Sequence, residues 1–226
     1  MSDSDFSGSS VSYAGDVNGD GFDDVIVGAY GVSSNSNSNS AFSGSSYVVF
    51  GRSDFGGGNV IQGTPGDDNL KGTSAAEIFE AGAGNDSMIG RGGADVFHGG
   101  AGDDDIRVSD LSFQLVDGGS GDDDVLHLAG SDLNLDLASF DDKISGIETI
   151  CLYGKGDNTL TLTAQDLLNL SDTTNTLKVN GNAGDRIVLD GDWMDGGSRG
   201  SGYYHVYTQD DAVLLVGMNV TTDFAQ

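Results

Sequence analysis

A period of nine residues runs through the middle of this chain. From Gly63 the frames read GTPGDDNLK, GTSAAEIFE, AGAGNDSMI, GRGGADVFH and GGAGDDDIR. After the degraded stretch VSDLSFQLVD, a sixth frame reads GGSGDDDVL from Gly118. The sixth position is acidic throughout: Asp68, Glu77, Asp86, Asp95, Asp104 and Asp123. The eighth is apolar throughout: Leu70, Phe79, Met88, Phe97, Ile106 and Val125. The fourth is glycine in five of the six frames, with Ala75 the exception.

Each frame has one half that can be strand and one half that must turn. In a strand, alternate side chains face opposite ways, so the apolar eighth residue can point into a core while its neighbours point out. The glycine-rich half needs left-handed backbone angles, which glycine tolerates. A chain that turns every nine residues coils into a flattened solenoid with two short strands and two turns per coil. Turns on one edge then lie eighteen residues apart in sequence and about 4.8 Å apart in space. The expected stacking is Asp68, Asp86 and Asp104 along one edge, and Glu77 with Asp95 along the other.

Carboxylates held that close repel by roughly 1 kcal/mol in water and several times more in a partly dry site. A hard cation removes the conflict. Carboxylates and turn carbonyls in flexible backbone make an all-oxygen ligand set that suits Ca²⁺ and suits Mg²⁺ poorly. The expected ligands are Gly66, Asp68, Gly82, Gly84, Asp86, Asp95, Gly100, Gly102, Asp104, Gly119, Gly121 and Asp123. Two departures matter: Glu77 and Ala75 break the pattern in the second frame, and Gly99 to Gly118 spans nineteen residues, which displaces the last site. The core of such a coil is thin, while ordering each residue costs on the order of 1–2 kcal/mol. Calcium near 10⁻³ M on sites of dissociation constant near 10⁻⁴ M contributes roughly 1.4 kcal/mol per site. At submicromolar calcium that contribution is almost nil, so the pattern encodes a fold switched on by external calcium.

Charge agrees with a cation load. The 226 residues carry 36 acidic and 9 basic side chains, for a net charge of -27. That balance argues against nucleic acid and anionic membranes, which are bound through excess Lys and Arg. The acid is mostly Asp, with Glu only at Glu77, Glu80 and Glu148, and 37 glycines accompany it. Asp with Gly is turn and oxygen-ligand chemistry. The lone cysteine, Cys151, leaves no internal disulfide and no cysteine-based zinc site, and "ETICLYG" reads as a strand that packs it. No apolar run reaches membrane-span length.

The frames GGAGDDDIR and GGSGDDDVL resemble the repeat of the RTX, or haemolysin-type calcium-binding, family, over residues 63 to 126. The resemblance implies a parallel β-roll with calcium between turns. It also implies a secreted protein, exported by a type I secretion machine that reads an uncleaved carboxy-terminal signal and passes an unfolded chain. "MSDSDFSGSSVSYAG", without the basic region and apolar core of a secretory signal, fits that expectation.

Ahead of the repeats, "DVNGDGFDD" sets Asp16, Asn18, Asp20 and Asp24 at positions one, three, five and nine, with the Phe22 carbonyl available at seven. This alternation wraps oxygens round a calcium ion, but Val27 stands where an EF-hand needs a bidentate Glu. With strands expected at Val25–Gly28 and Tyr47–Phe50, the segment resembles one FG-GAP repeat, the blade unit of integrin-type β-propellers. One blade cannot close a propeller.

After the repeats, "TLTLT", "TLKVN", "RIVLD", "YHVYT" and "AVLLV" are strand signals. A short helix is expected at "TAQDLLNL", with Thr163 as N-cap and Asp166 at the third helical position. Residues 144 to 220 resemble the tail that follows RTX repeats in large secreted bacterial adhesins. That likeness implies a β-rich cap shielding the last coil and containing the secretion signal. "GDWMDGGSRG" reads as a glycine-rich loop, and "GGSRG" lacks the strand-to-helix setting of a nucleophile elbow. His98, His127 and His205 share no metal-ligand spacing.

The expected fold class is all-β: an FG-GAP-like calcium loop and hairpin over 1–60, an RTX β-roll over 61–130 and a β-rich cap over 131–226. The expected function is that of a non-enzymatic, calcium-dependent folding module in a secreted or surface-associated adhesin-like protein. Its partners would be calcium, the type I machinery, and a cell-surface or extracellular ligand reached through upstream regions. The competing expectation is the carboxy-terminal module of an RTX-bearing secreted hydrolase.

Overall fold

The computed structural model describes residues 7–15, 17, 24–29, 45–49, 59–140, 142–171, 173–199 and 202–225. They fall in two compact units, Met1–Gly57 and Gly58–Gln226. The architecture is mostly strand.

In the first unit, β1 (Ser7–Gly15), β2 (Asp24–Ala29) and β3 (Ser45–Val49) form an antiparallel sheet in that order. The two expected strands are β2 and β3, with Phe50 outside the described residues. Gly15, in the left-handed region at φ 68°, pairs with Asp24 and so closes the base of the calcium-like loop.

In the second unit the chain alternates between two sheets. The strands are β4 (Asn59–Gln62), β5 (Asn69–Lys71), β6 (Glu77–Ala83), β7 (Ser87–Ile89), β8 (Val96–Ala101), β9 (Asp105–Val108), β10 (Leu115–Ser120) and β11 (Val125–Leu128). Even-numbered strands lie in one sheet and odd-numbered strands in the other. All these neighbours are parallel, and Phe79 pairs with Phe97 as Met88 pairs with Ile106. This is the eighteen-residue spacing expected of the turns. Leu70, Met88 and Ile106 enter the core from one sheet; Phe79 and Phe97 enter from the other, stacked with ring centroids 4.7 Å apart.

The sixth frame does not keep its register. Gly119 pairs with Gly100, nineteen residues on, but Leu126 pairs with Ile106, twenty residues on. The turn before β11 therefore holds one extra residue, and Leu126 takes the inward place expected of Val125. Polarity explains the slip. Slipping a strand by one residue exchanges its two faces, and the unslipped register would turn Val125 and His127 inward. The observed register buries Leu126 and Leu128 completely instead.

Pairing then runs on past residue 130. The next elements are β12 (Asn134–Asp136), β13 (Ile144–Ser145), β14 (Thr149–Cys151), β15 (Thr159–Leu162), α1 (Ala164–Leu170), β16 (Thr176–Asn180), β17 (Arg186–Leu189), β18 (Met194–Arg199), β19 (Tyr204–Gln209), β20 (Ala212–Gly217) and β21 (Thr221–Phe224). Strand β13 completes the first sheet, whereas β14, β16 and β20 extend the second in parallel, and β19 and β18 finish it antiparallel. A third sheet, β12-β15-β17-β21, is wholly parallel. The expected helix is α1, closed by a capping box in which the Thr163 side chain accepts from the Asp166 amide and the Asp166 carboxylate from the Thr163 amide. The expected glycine-rich loop is instead strand β18. A bulge at Gly196, between Asp195 and Gly197, where Gly197 takes φ 74°, lets the strand go on pairing with β19.

Candidate metal centre

Along one edge of the coil, each turn presents its acid to the turn before it. The Asp68 amide donates to Asp86 Oδ1 at 2.8 Å, the Asp86 amide to Asp104 Oδ1 at 2.8 Å, and the Asp104 amide to Asp124 Oδ1 at 2.7 Å. The Asp124 amide donates to Glu148 Oε2 at 2.9 Å. Asp86, Asp104, Asp124 and Glu148 are all buried. One carboxylate oxygen of each is thereby fixed by a backbone N–H. The second oxygen of Asp86, Asp104 and Asp124 is buried with no hydrogen-bond partner. A buried anion without a partner is too costly to leave so, and a cation or a proton at these three Oδ2 atoms would relieve it.

The ends of the ladder differ. Asp68 is half-buried, and its Oδ2 accepts from the Thr64 amide at 2.6 Å and the Thr64 hydroxyl at 2.9 Å. On the opposite edge, Glu77 and Asp95 do stack, with the Glu77 amide donating to Asp95 Oδ1 at 2.9 Å. Both Glu77 oxygens are taken by Thr73. That edge is a short hydrogen-bonded pair rather than a continued ladder.

Glycine makes room for the ligand oxygens. Gly82, Gly84, Gly100, Gly102 and Gly119 have φ between 98° and 121°, angles that L side chains rarely adopt. Around the position that a Cβ of Gly121 would occupy converge the Gly102 carbonyl oxygen at 2.5 Å, Asp124 Oδ2 at 3.0 Å and Asp103 Oδ1 at 3.1 Å. A Cβ at Gly99 would collide with both the Gly118 carbonyl oxygen and Asp104 Oδ2. Gly66 has open space where its Cβ would be. Among the described residues no three His, Cys, Asp or Glu side chains gather as a cage. The donor set is instead carboxylates mixed with backbone carbonyls, and it fits calcium.

Asp123 does not stand in the ladder. With the extra residue in its turn, Asp124 takes the place above Asp104, and Asp123 is exposed. Its Oδ1 accepts from the Thr149 hydroxyl at 2.7 Å and the Lys178 ammonium at 3.0 Å. Burial alone would raise its carboxyl, but these hydrogen bonds and the lysine charge hold it below the usual range. In the first unit, Asp16, Asn18, Asp20 and Phe22 lie outside the described residues, as does the side chain of Asp24.

A second ladder follows, signalled in the sequence by "GKGDN" and "GNAGD". The Leu133 amide donates to Asn158 Oδ1 at 2.8 Å and the Asn158 amide to Asp185 Oδ1 at 2.9 Å. Asn158 Nδ2 donates to the Leu152 carbonyl at 3.1 Å, and Asp185 Oδ2 accepts from the Asn182 amide at 2.6 Å. This ladder is built like the first but leaves no carboxylate oxygen orphaned.

Elsewhere, Cys151 is packed in β14, and burial pushes its thiol up to about 11, which keeps it unreactive. His98 lies 3.8 Å from Asp117, His127 2.9 Å from Asp105 and His205 2.6 Å from Asp195.

Comparison with known families agrees with this geometry. Residues 54–88 and 71–106 match the RTX calcium-binding nonapeptide repeat, in four copies. These are RTX repeats. Calcium is the ion that the RTX family binds, at several repeats along the chain. Residues 7–49 match the FG-GAP repeat. Both families are structural or binding modules. No curated protein and no solved structure matches the chain. Among the described residues no helix is long and apolar enough to cross a membrane.

Two outcomes follow from the RTX ladder. Asp124→Asn is expected to weaken calcium binding about tenfold, since carboxylate count tunes such sites, whereas Asp123→Asn leaves it within about twofold. Isothermal titration of the two variants checks the register, and the reverse order would refute it. The second outcome concerns pH without metal. Burial raises the Asp86 carboxyl, lifts those of Asp95 and Asp104 to about 6, and lifts that of Asp124 to about 7. Groups raised on folding stabilise the fold fully below their unfolded value, near 3.9, and lose that contribution as pH rises through 6 to 7. In chelator the protein should therefore melt higher at pH 5 than at pH 8, and saturating calcium should shrink the difference. A chelated protein that melts higher at pH 8 would contradict this.

Proposed function

We propose that this chain is a non-catalytic, calcium-loaded module of a secreted, surface-associated protein of the RTX adhesin kind. The observation that carries the reading is the run of buried, partnerless Oδ2 atoms on Asp86, Asp104 and Asp124 within RTX repeats. In this reading residues 61–130 coil as a parallel β-roll, with residues 131–226 as its cap and residues 1–60 as a separate calcium loop and hairpin. The calcium ligands are the ladder carboxylates with turn carbonyls such as those of Gly102 and Gly118. Asp16, Asn18, Asp20, Phe22 and Asp24 supply a further site.

Calcium supply makes the fold conditional. At submicromolar calcium the ladder carboxylates stay charged and uncompensated, and the repeats stay open. At millimolar calcium each bound ion adds its binding free energy to folding. A chain that is unfolded inside the cell and folded outside suits export by a type I machine. The FG-GAP repeat favours adhesion over the alternative of a module behind a secreted hydrolase.

The test is a far-ultraviolet circular dichroism titration of stripped protein with Ca²⁺, using Mg²⁺ as control. The expected result is a gain of strand signal at submillimolar to millimolar Ca²⁺, absent with Mg²⁺ and moved to higher calcium by Asp86→Ala. A spectrum unchanged between chelator and calcium would overturn the switch and the export argument built on it.

A further inference from the structure

We propose that the outer face of the long second sheet carries a cleft for an acidic oligosaccharide, a glycan whose sugar rings bear carboxylates. On β9, β11, β14 and β16, Arg107, His127, Cys151 and Asn180 stand in one row, paired strand to strand. Their neighbours Ile106, Leu126, Ile150 and Val179 are buried on the other face. Above the row lie two cavities that share Tyr153. One, about 420 Å³, is lined by Arg107, His127 and Lys155 as well as Tyr153. The other, about 380 Å³, is lined by Asn180, Tyr203, Tyr204, Met218 and Asn219 as well as Tyr153.

Three features set the ligand chemistry. The first is charge. Neither lining includes an Asp or Glu, in a chain that has 36 of them against 9 Lys and Arg. Asp105 sits beside the row and holds His127 at 2.9 Å and Arg107 at 3.6 Å. Among the described residues the exposed Lys155 ammonium has no carboxylate partner. Lys155 at one end of the cleft is thus the cation offered to an anionic group, with Arg107 and His127 beside it held by Asp105.

The second feature is aromatic surface. Tyr153 is 54% exposed and Tyr203 75% exposed; among the described residues, Tyr13, Tyr47 and Phe224 are the other exposed large rings, and none of them lines either cavity. A tyrosine held open to water presents an apolar ring and a polar hydroxyl together, which matches a sugar ring with its C–H face and hydroxyl rim. The third is the pair of amides, Asn180 and Asn219, each able to donate and accept to vicinal hydroxyls. A shallow cleft on a sheet face offers no strand edge for a peptide backbone to pair with. Those features favour an acidic glycan over an acidic peptide.

The experiment uses the full chain with calcium in constant excess. Isothermal titration compares tetragalacturonate, neutral maltotetraose and a tetraglutamate peptide, with the wild type and with the variants Tyr153→Ala and Lys155→Gln. Both altered positions are exposed, and the calcium-induced circular dichroism change is read on the same samples, so a failed fold is distinguished from a failed site. The expected result is binding of tetragalacturonate at least about tenfold tighter than maltotetraose, a loss of about tenfold or more in Tyr153→Ala, and a weaker salt dependence in Lys155→Gln. The proposal is overturned if the wild type binds no tetragalacturonate, or if both variants bind it as the wild type does, because it is then held through calcium on the ladder. Equal binding of maltotetraose or of tetraglutamate would overturn it as well.

Discussion

A carboxylate buried at every second turn, with one oxygen on the amide of the turn before and the other on nothing, is the constraint from which the rest of this molecule follows. The hydrogen bond to Oδ1 sets the vertical spacing of Asp68, Asp86, Asp104 and Asp124. The orphaned Oδ2 atoms are the ones that a bound cation would satisfy. Glycine is what lets both happen at once, because the oxygens crowd the places where the Cβ atoms of Gly99 and Gly121 would stand. The apolar core of the first turns is narrow, with Phe79 on Phe97 from one sheet and Met88 on Ile106 from the other, and it widens toward Val108, Val116, Leu126 and Leu128.

Farther along the chain the same geometry is kept while the charge is removed. Asn158 occupies a ladder position with a neutral amide, and Asp185 has both oxygens satisfied by amides of Asn158 and Asn182. Apolar packing thickens over the same region, where Leu135, Leu160, Ile187, Leu177 and Leu214 are buried together with the inner face of α1. Within the ladders, the orphaned carboxylate oxygens are thus confined to Asp86, Asp104 and Asp124, and the ladder at Asn158 and Asp185 has none.

Much of this was legible in the sequence, for a physical reason. A period of nine with an acid, an apolar residue and a glycine in fixed places leaves few backbones to choose from, so the stacking of Asp68, Asp86 and Asp104 and the pairing of Glu77 with Asp95 could be read directly. The helix at Ala164–Leu170 was legible from its capping residues. The sixth frame was not. Three consecutive acids, Asp122, Asp123 and Asp124, leave the register open locally, and the choice is made by which face of Val125–Leu128 goes inward. The carboxy-terminal turns were hidden by substitution, since Asn158 is no acid and "GNAGD" shifts the spacing. The glycines of β18 read as loop because a bulge that keeps pairing intact leaves no period to detect.

Amide hydrogen exchange, followed residue by residue in calcium and in chelator at neutral pH, tests the calcium ladder most directly. In calcium the amides of Asp86, Asp104 and Asp124, which donate to ladder carboxylates, should be strongly protected. In chelator their protection should collapse, while the Asn158 amide, donating to Asp185, keeps more of its own. Equal protection of Asp86 and Asp104 with and without calcium would mean that the carboxylate ladder holds itself together without metal, and would contradict a coil folded by calcium.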